Sequence, residues 1–240
     1  MQAVVLAGGQ GQRLRPFTSV LPKPLMPIGD RPILDIILRQ LYMHGVTDVT
    51  IALNYLGSLI QSYVDQSEIG QRLNIHYHWE EKPLGTAGAI GTIKGLDAPF
   101  FVMNGDILTS LDYSAMYEAH MADDADLTVG TVTTDVRIEL GVLNIDPSRH
   151  VIGYDEKPTM TYAASMGIYV YSPRILDRIK PGEYLDAPNL VLGLIADGKK
   201  VLSHAPDCEW IDIGNQGQHE HASSVYLADP SVFLPGFEAS

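Results

Sequence analysis

One stretch constrains this chain more than any other: VVLAGGQGQRLRPFTSVLPKPL, residues 4–25. Its apolar start reads as a short buried strand, and Gly8, Gly9 and Gly11 follow at once. Pro16, Pro22, Pro24 and Pro27 then forbid a regular helix. A glycine-rich loop leaving a strand brings backbone N–H groups close to phosphates. The dinucleotide fingerprint G-x-G-x-x-G leads directly into a helix, but here Leu14 stands at the third glycine position. A Walker loop is excluded as well, because no Gly-Lys-Ser/Thr follows at its spacing. A plain structural turn and a phosphate cradle of another kind remain. Arg13 and Lys23, two cations beside the glycines, favour the cradle, since a guanidinium fork and an ammonium point charge both suit triphosphate oxygens.

Apolar runs at 3–6, 49–53, 73–79 and 99–103 read as buried strands, with helices between them. The first helix has Asp30 as its candidate N-cap, Pro32 in its first turn, Ile33, Ile37, Leu38 and Leu41 on one face, and Gly45 as its stop. Further helices are expected over 57–68, from about Thr86, and after Leu111. The second half reads as strands at 127–133, 141–145, 151–156, 166–171 and 201–205, helices at 173–179 and 187–196, and a final twenty residues of helix and irregular tail. This order implies an α/β fold, a largely parallel sheet extended by antiparallel strands with helices on both faces. No linker, low-complexity tract or β-helix repeat interrupts it, so one domain over 1–240 is expected.

The balance of 16 Lys and Arg against 29 Asp and Glu gives a net charge of −13, which argues against nucleic-acid or anionic-membrane binding. A small anionic substrate is still allowed, because a few local cations can dominate a cleft. A single cysteine, Cys208, excludes an internal disulfide framework and suits a reducing compartment. Residues 1–7 lack a basic region and a cleavage site, so the expected location is cytoplasmic.

LAGGQGQRL at 6–14 followed by PKPL at 22–25 resembles the signature of the sugar-1-phosphate nucleotidyltransferases. The resemblance continues in order through PLGTAGA at 83–89, NGD at 104–106, EKP at 156–158 and WIDIG at 210–214. Gln12 departs from it, standing where that family usually has threonine. The resemblance implies a Rossmann-like three-layer nucleotidyltransferase fold with a mixed, mostly parallel central sheet. It also implies a nucleotide-binding part over about 1–110 and a sugar-phosphate part over about 111–220, with no β-helix domain. The implied reaction moves a nucleotidyl group from an NTP to a sugar 1-phosphate by in-line attack, releasing pyrophosphate. The attacking phosphate oxygen is already anionic and needs no general base, so positioning and charge neutralisation carry the catalysis.

In that reading Leu6, Ala7, Gly8, Gly9, Gly11, Gln12, Pro83, Gly85, Thr86 and Gly88 hold the nucleotide. Arg13 and Lys23 neutralise the triphosphate, and Asp106 and Asp212 hold Mg²⁺. Lys157 grips the sugar phosphate, Glu156 takes sugar hydroxyls, and Asn104, Gly141 and Gly167 line the sugar pocket. On spacing alone Asp106 also reads as a cap of the next element, and the Glu156–Lys157 pair as a solvated strand end.

Thymidylyl and uridylyl members acting on glucose 1-phosphate carry a glutamine at the position of Gly88, so the segment looks more like the mannose- or heptose-1-phosphate guanylyltransferase branch. GTP with a mannose-1-phosphate-like sugar is the expectation. Uridylyl or thymidylyl transfer to another sugar or cyclitol phosphate, and a silent regulatory homologue, are the alternatives. A homodimer is left open. The remaining polar clusters are read as structural: His76 and His78 on one strand face, His219, Glu220 and His221 on a solvated helix, Asp123, Asp124 and Asp126 in a turn, and Cys208 as a filler.

Overall fold

In β1 (Gln2–Leu6), Ala3 and Val5 pack into one core and Val4 into another, which is why its sequence is an unbroken apolar run. This computed structural model describes residues 1–236 of the 240. After β1 the chain makes single 3₁₀ turns at Gln12–Leu14, Phe17–Ser19 and Lys23–Leu25, short forms that a proline-studded segment can adopt. A ribbon of β2 (Pro27–Ile28) and β3 (Arg31–Pro32) leads into α1 (Ile33–Met43).

Asp30 sits in the turn of that ribbon and does not cap α1, contrary to the expectation; the N-cap is Pro32. A side-chain cap is superfluous for the first amide, because Ile33 N donates to Met26 O at 3.1 Å. Gly45 does stop the helix: its φ of 78° takes the chain left-handed, and Val46 N returns to Leu41 O at 2.9 Å.

There follow β4 (Asp48–Leu53), α2 (Gly57–Gln66), β5 (Asn74–Trp79), the single turn α3 (Gly85–Gly88), β6 (Phe100–Asn104), β7 (Ile107–Thr109) and α4 (Tyr113–Ala122). The second half holds β8 (Leu127–Arg137), β9 (Val142–Ile145), β10 (Val151–Asp155), β11 (Thr159–Tyr171), α5 (Ala187–Ala196), β12 (Val201–His204), β13 (Trp210–Asp212) and α6 (Gln216–Ala228). The expected helix near 173–179 is a 3₁₀ segment, Pro173–Arg178. The expected terminal helix begins earlier, at Gln216, and residues 237–240 lie outside the described part. β8 and β11 run longer than their apolar cores suggest, because their outer halves pair with each other from Ser165↔Thr131 to Thr159↔Arg137. The β9–β10 hairpin closes this exposed arm.

Seven strands form one sheet in the order β12-β8-β11-β6-β1-β4-β5, with β11 antiparallel to its neighbours and every other pair parallel. The expected mixed, mostly parallel sheet is therefore present. Phe101 and Met103 join Val5 and α1 on one side, while Phe100 and Val102 join Val4 and α5 on the other. Two cores on opposite faces make three layers. Among the described residues no helix is long and apolar enough to cross a membrane.

Candidate active site

β1 lies between β4 and β6, so crossovers leave it in both directions, and a crevice opens beyond the carboxyl ends of these strands. Leu6 is level with Ala52 and with Asn104. Just past that level, Ala7 N donates to Ala52 O and Gly105 N to Leu6 O, each at 2.9 Å. The crevice is a cleft of about 300 Å³ lined by Leu6, Ala7, Gly8, Gly9, Lys23, Pro24, Asn54, Glu80, Pro83, Leu84, Gly85, Thr86, Asn104, Gly105 and Asp106. A Cβ on Gly8 would come within 3.1 Å of Asn54 Cβ and 3.3 Å of Glu80 Oε1, so a side chain there would crowd the cleft wall. Gly11, at φ 58°, would meet Thr18 at 2.8 Å, and the Thr18 hydroxyl donates to Gly11 O at 2.7 Å. The loop is thereby folded back on itself, with Lys23 brought into the cleft.

Lys23 Nζ is ion-paired with Asp106 Oδ2, and both side chains are largely buried. β13 pairs antiparallel with β7, setting Asp212 opposite Ile107, and Ile213 N donates to Asp106 O at 3.1 Å. Two carboxylates more than one hundred residues apart in sequence are thus neighbours. Burial, together with the negative charge of Asp106, holds the Asp212 carboxyl above its ordinary pKa, while Lys23 and Arg13 pull it back down. The guanidinium of Arg13 is exposed and lies against Gly214, whose Cβ would be 3.2 Å from Nη2.

A second pocket of about 440 Å³ shares Thr86 and Asn104 with the cleft. Ile107, Ser165, Met166, Gly167, Tyr169, Asp186, Pro188, Trp210 and Asp212 complete its lining. Here β11 bulges between Ser165 and Tyr169, with Gly167 at φ 71° and its absent Cβ 2.7 Å from Asn104 Nδ2. Trp210 Nε1 donates to Met166 O at 3.0 Å and fixes the opposite wall.

The structure therefore gathers Leu6, Ala7, Gly8, Gly9, Lys23, Pro83, Gly85, Thr86, Asn104, Asp106, Gly167 and Asp212 around two joined pockets. Others fall elsewhere. Gln12 is exposed and donates to Gln10 Oε1 at 3.0 Å. Gly88 lies under the 183–185 segment, where a Cβ would be 2.6 Å from Glu183 O. Gly141, Glu156 and Lys157 sit on the exposed arm, outside the lining of either pocket. Tyr154 packs its hydroxyl over Gly141 and donates it to Glu156 Oε2 at 2.9 Å.

Several of the side chains read as structural have structural partners. His78 Nε2 shares a hydrogen bond with Thr92 Oγ1 at 2.9 Å, and His219 Nε2 donates to Pro27 O at 2.8 Å. Asp126 accepts from Arg174 Nε at 2.6 Å and from Lys200 N at 2.8 Å. The Cys208 thiol is half-buried, and burial pushes its pKa up, away from the reactive thiolate. Among the described residues, no group of three or more His, Cys, Asp and Glu side chains is arranged to hold a metal.

Several pocket residues are missed by the sequence reading: Asn54, Glu80, Ser165, Tyr169, Asp186 and Trp210. Asn54 and Glu80 each stand one position past a strand end, a placement that can be read once strands 49–53 and 73–79 are assigned.

Comparison with known proteins decides the family. The model of the nucleotidyl transferase family matches residues 2–228. This chain belongs to the nucleotidyl transferase family. A mannose-1-phosphate guanyltransferase of Schizosaccharomyces pombe is 30% identical over 248 residues, an alignment that covers 98% of this transferase and 68% of the relative. A UTP–glucose-1-phosphate uridylyltransferase of Synechocystis is also 30% identical, over 262 residues, covering 99% of this transferase and 67% of the relative. Among solved structures, HddC from Yersinia pseudotuberculosis complexed with GMP-PN superposes with a TM-score of 0.72 at 27% identity, covering 94% of this transferase and 99% of that chain. The α/β fold is thus that of known nucleotidyl transferases, and this chain is an enzyme of that class.

Proposed function

We propose that this transferase joins the nucleotidyl part of GTP to a mannose-1-phosphate-like sugar 1-phosphate, releasing pyrophosphate. The observation that carries this reading is the pair of pockets joined through Thr86 and Asn104, with Lys23, Asp106 and Asp212 where they meet. In it, the part up to about residue 110 binds the nucleotide and the part from 111 to 220 the sugar phosphate. Lys23, held by Asp106, faces the triphosphate from below the glycine loop, and the exposed Arg13 adds a second positive charge beside Gly214.

The residues present fit a divalent metal. Asp106 Oδ1 is buried with no hydrogen-bond partner among the described residues, and the neighbouring Asp212 offers a second hard oxygen donor. Two carboxylates, with phosphate oxygens and water completing the shell, suit Mg²⁺. Held there, the ion would neutralise charge on the phosphates and favour in-line displacement. Lys157 and Glu156 would serve the sugar phosphate once the arm lies over the second pocket.

One feature favours guanine. Glu80 lines the cleft near Gly8, and its carboxylate is suited to accept from N1–H and the 2-amino group of guanine. Pyrophosphate release measured for five NTPs against a panel of sugar 1-phosphates tests the proposal. GTP with mannose 1-phosphate is expected to give the highest kcat/KM. A preference for UTP or dTTP with glucose 1-phosphate overturns the base assignment, and release from no pair overturns the reaction.

A further inference from the structure

Thr86 touches both pockets, and its hydrogen bonds tie one to the other. Its backbone N–H donates to Asp186 Oδ1 at 3.2 Å, and its hydroxyl accepts the N–H of Ala187 at 2.8 Å. Asp186 is the N-cap residue of α5 and lines the second pocket, yet its side chain caps nothing in its own helix. An N-cap aspartate ordinarily accepts the N–H two or three residues onward. Here the carboxylate crosses to Thr86 instead, and the Thr86 hydroxyl takes the first free amide of α5 in return. Tyr184 donates its hydroxyl to Asp186 Oδ2 at 2.8 Å, holding the second oxygen.

The backbones beneath are equally close. Ala87 N and Gly88 N both donate to Leu185 O at 2.9 Å, and Leu185 N donates to Leu84 O at 2.8 Å. A Cβ on Gly85 would lie 2.6 Å from Leu185 O. Neither wall can move without breaking bonds to the other.

We propose that Thr86 and Asp186 form a two-way latch through which occupancy of the nucleotide cleft is felt in the sugar-phosphate pocket. This rests on the assignment of the two pockets made above. A nucleotide that stills Thr86 also stills Asp186, so less ordering entropy is left to lose when the sugar phosphate arrives. By linkage the sugar phosphate must aid nucleotide binding to the same degree. Asp186 is then a positioning residue, acting on the nucleotide through Thr86.

Amide hydrogen exchange, followed by NMR on the whole chain, reads both ends of the latch. GTP alone is expected to slow exchange at Ala187, and mannose 1-phosphate alone to slow it at Thr86, each by about tenfold. Asp186→Ala and Thr86→Val should abolish these remote effects, while Thr86→Ser, which keeps the hydroxyl, and Asp186→Asn, which keeps the oxygen facing Thr86, should retain them. A merely structural contact would accelerate both amides and leave their ligand dependence intact. Remote protection that persists in Asp186→Ala and Thr86→Val overturns the latch. Absence of local protection at Gly8 and Gly9 by any NTP would instead overturn the nucleotide assignment. The latch also has a requirement that needs no ligand: after correction for intrinsic rates, Asp186→Ala must accelerate Ala187, whose own acceptor is untouched, and an unchanged rate overturns it even where the remote ligand effects are not observed.

Discussion

Lys23 Nζ is ion-paired with one oxygen of Asp106, while the other oxygen of that carboxylate is buried and has no hydrogen-bond partner among the described residues. One side of the carboxylate thus holds a cation in place and the other is left as an acceptor. Lys23→Met should remove the positive charge facing the triphosphate and strand Asp106. Loss of one partner from a buried pair costs about 3 kcal/mol, and loss of a charge aimed at the reacting phosphates costs about 10²-fold in kcat. Urea unfolding and pyrophosphate release measure the two effects separately. The double variant Lys23→Met, Asp106→Leu should recover stability without recovering turnover.

Asp212 carries the opposite balance. Burial and the charge of Asp106 raise its pKa, so its ionised form at neutral pH is unfavourable in the folded metal-free protein. That penalty is relieved as pH falls through the raised pKa. Asp212→Asn should therefore raise the Tm of metal-free protein at pH 7, since it removes the unfavourable charge and keeps the shape. Differential scanning calorimetry in a chelator checks this, and a lower Tm would refute the electrostatic account.

His120 contributes to the loss of stability in mild acid. It is buried, with Nδ1 bonded to Thr128 Oγ1 at 2.8 Å and Nε2 to Ser172 Oγ at 3.0 Å. Burial, aided by Arg174, lowers its pKa against the opposing pull of Asp124 and Asp126. The unfolded chain then binds the proton first. Stability is complete above about pH 6.5 and falls toward the folded pKa by up to ~1.4 kcal/mol per pH unit. His204, also lowered by burial, acts in the same direction. His120→Asn should flatten the pH dependence of the urea midpoint between pH 7 and 5 without eliminating it.

Gly88→Ala should shift the segment that carries Asp186, because the new methyl group would meet Glu183 O at 2.6 Å and Leu185 N at 3.1 Å. Overpacking of this kind costs about 1–3 kcal/mol. A lowered Tm with raised KM for both substrates is the expected outcome.

What is legible in the sequence is what the chain keeps contiguous. The loop from Gly8 to Lys23 announces itself by glycines, prolines and cations, and the buried runs of β1, β4 and β6 fix the strand ends where the cleft opens. The pairing that brings Asp212 to Asp106 depends on two three-residue strands, too short to show a period. Asp186 stands just ahead of the helix expected at 187–196, and nothing local marks it until α3 is seen packed against it. Asp30 fails as a cap because Met26 O satisfies the first amide of α1, a contact local pattern does not encode. The outer halves of β8 and β11 lack a buried face and hence the apolar alternation by which strands are recognised.

The central claim, that Asp106 and Asp212 act together beside Lys23 in nucleotidyl transfer, is tested most directly by pyrophosphate release from the wild-type protein, Asp106→Asn and Asp212→Asn with Mg²⁺ and the preferred substrate pair. Each variant should stay folded and lose at least about 10²-fold in kcat, the loss expected when charge stabilisation at the reacting phosphate is removed. Near-normal turnover in both would contradict the account.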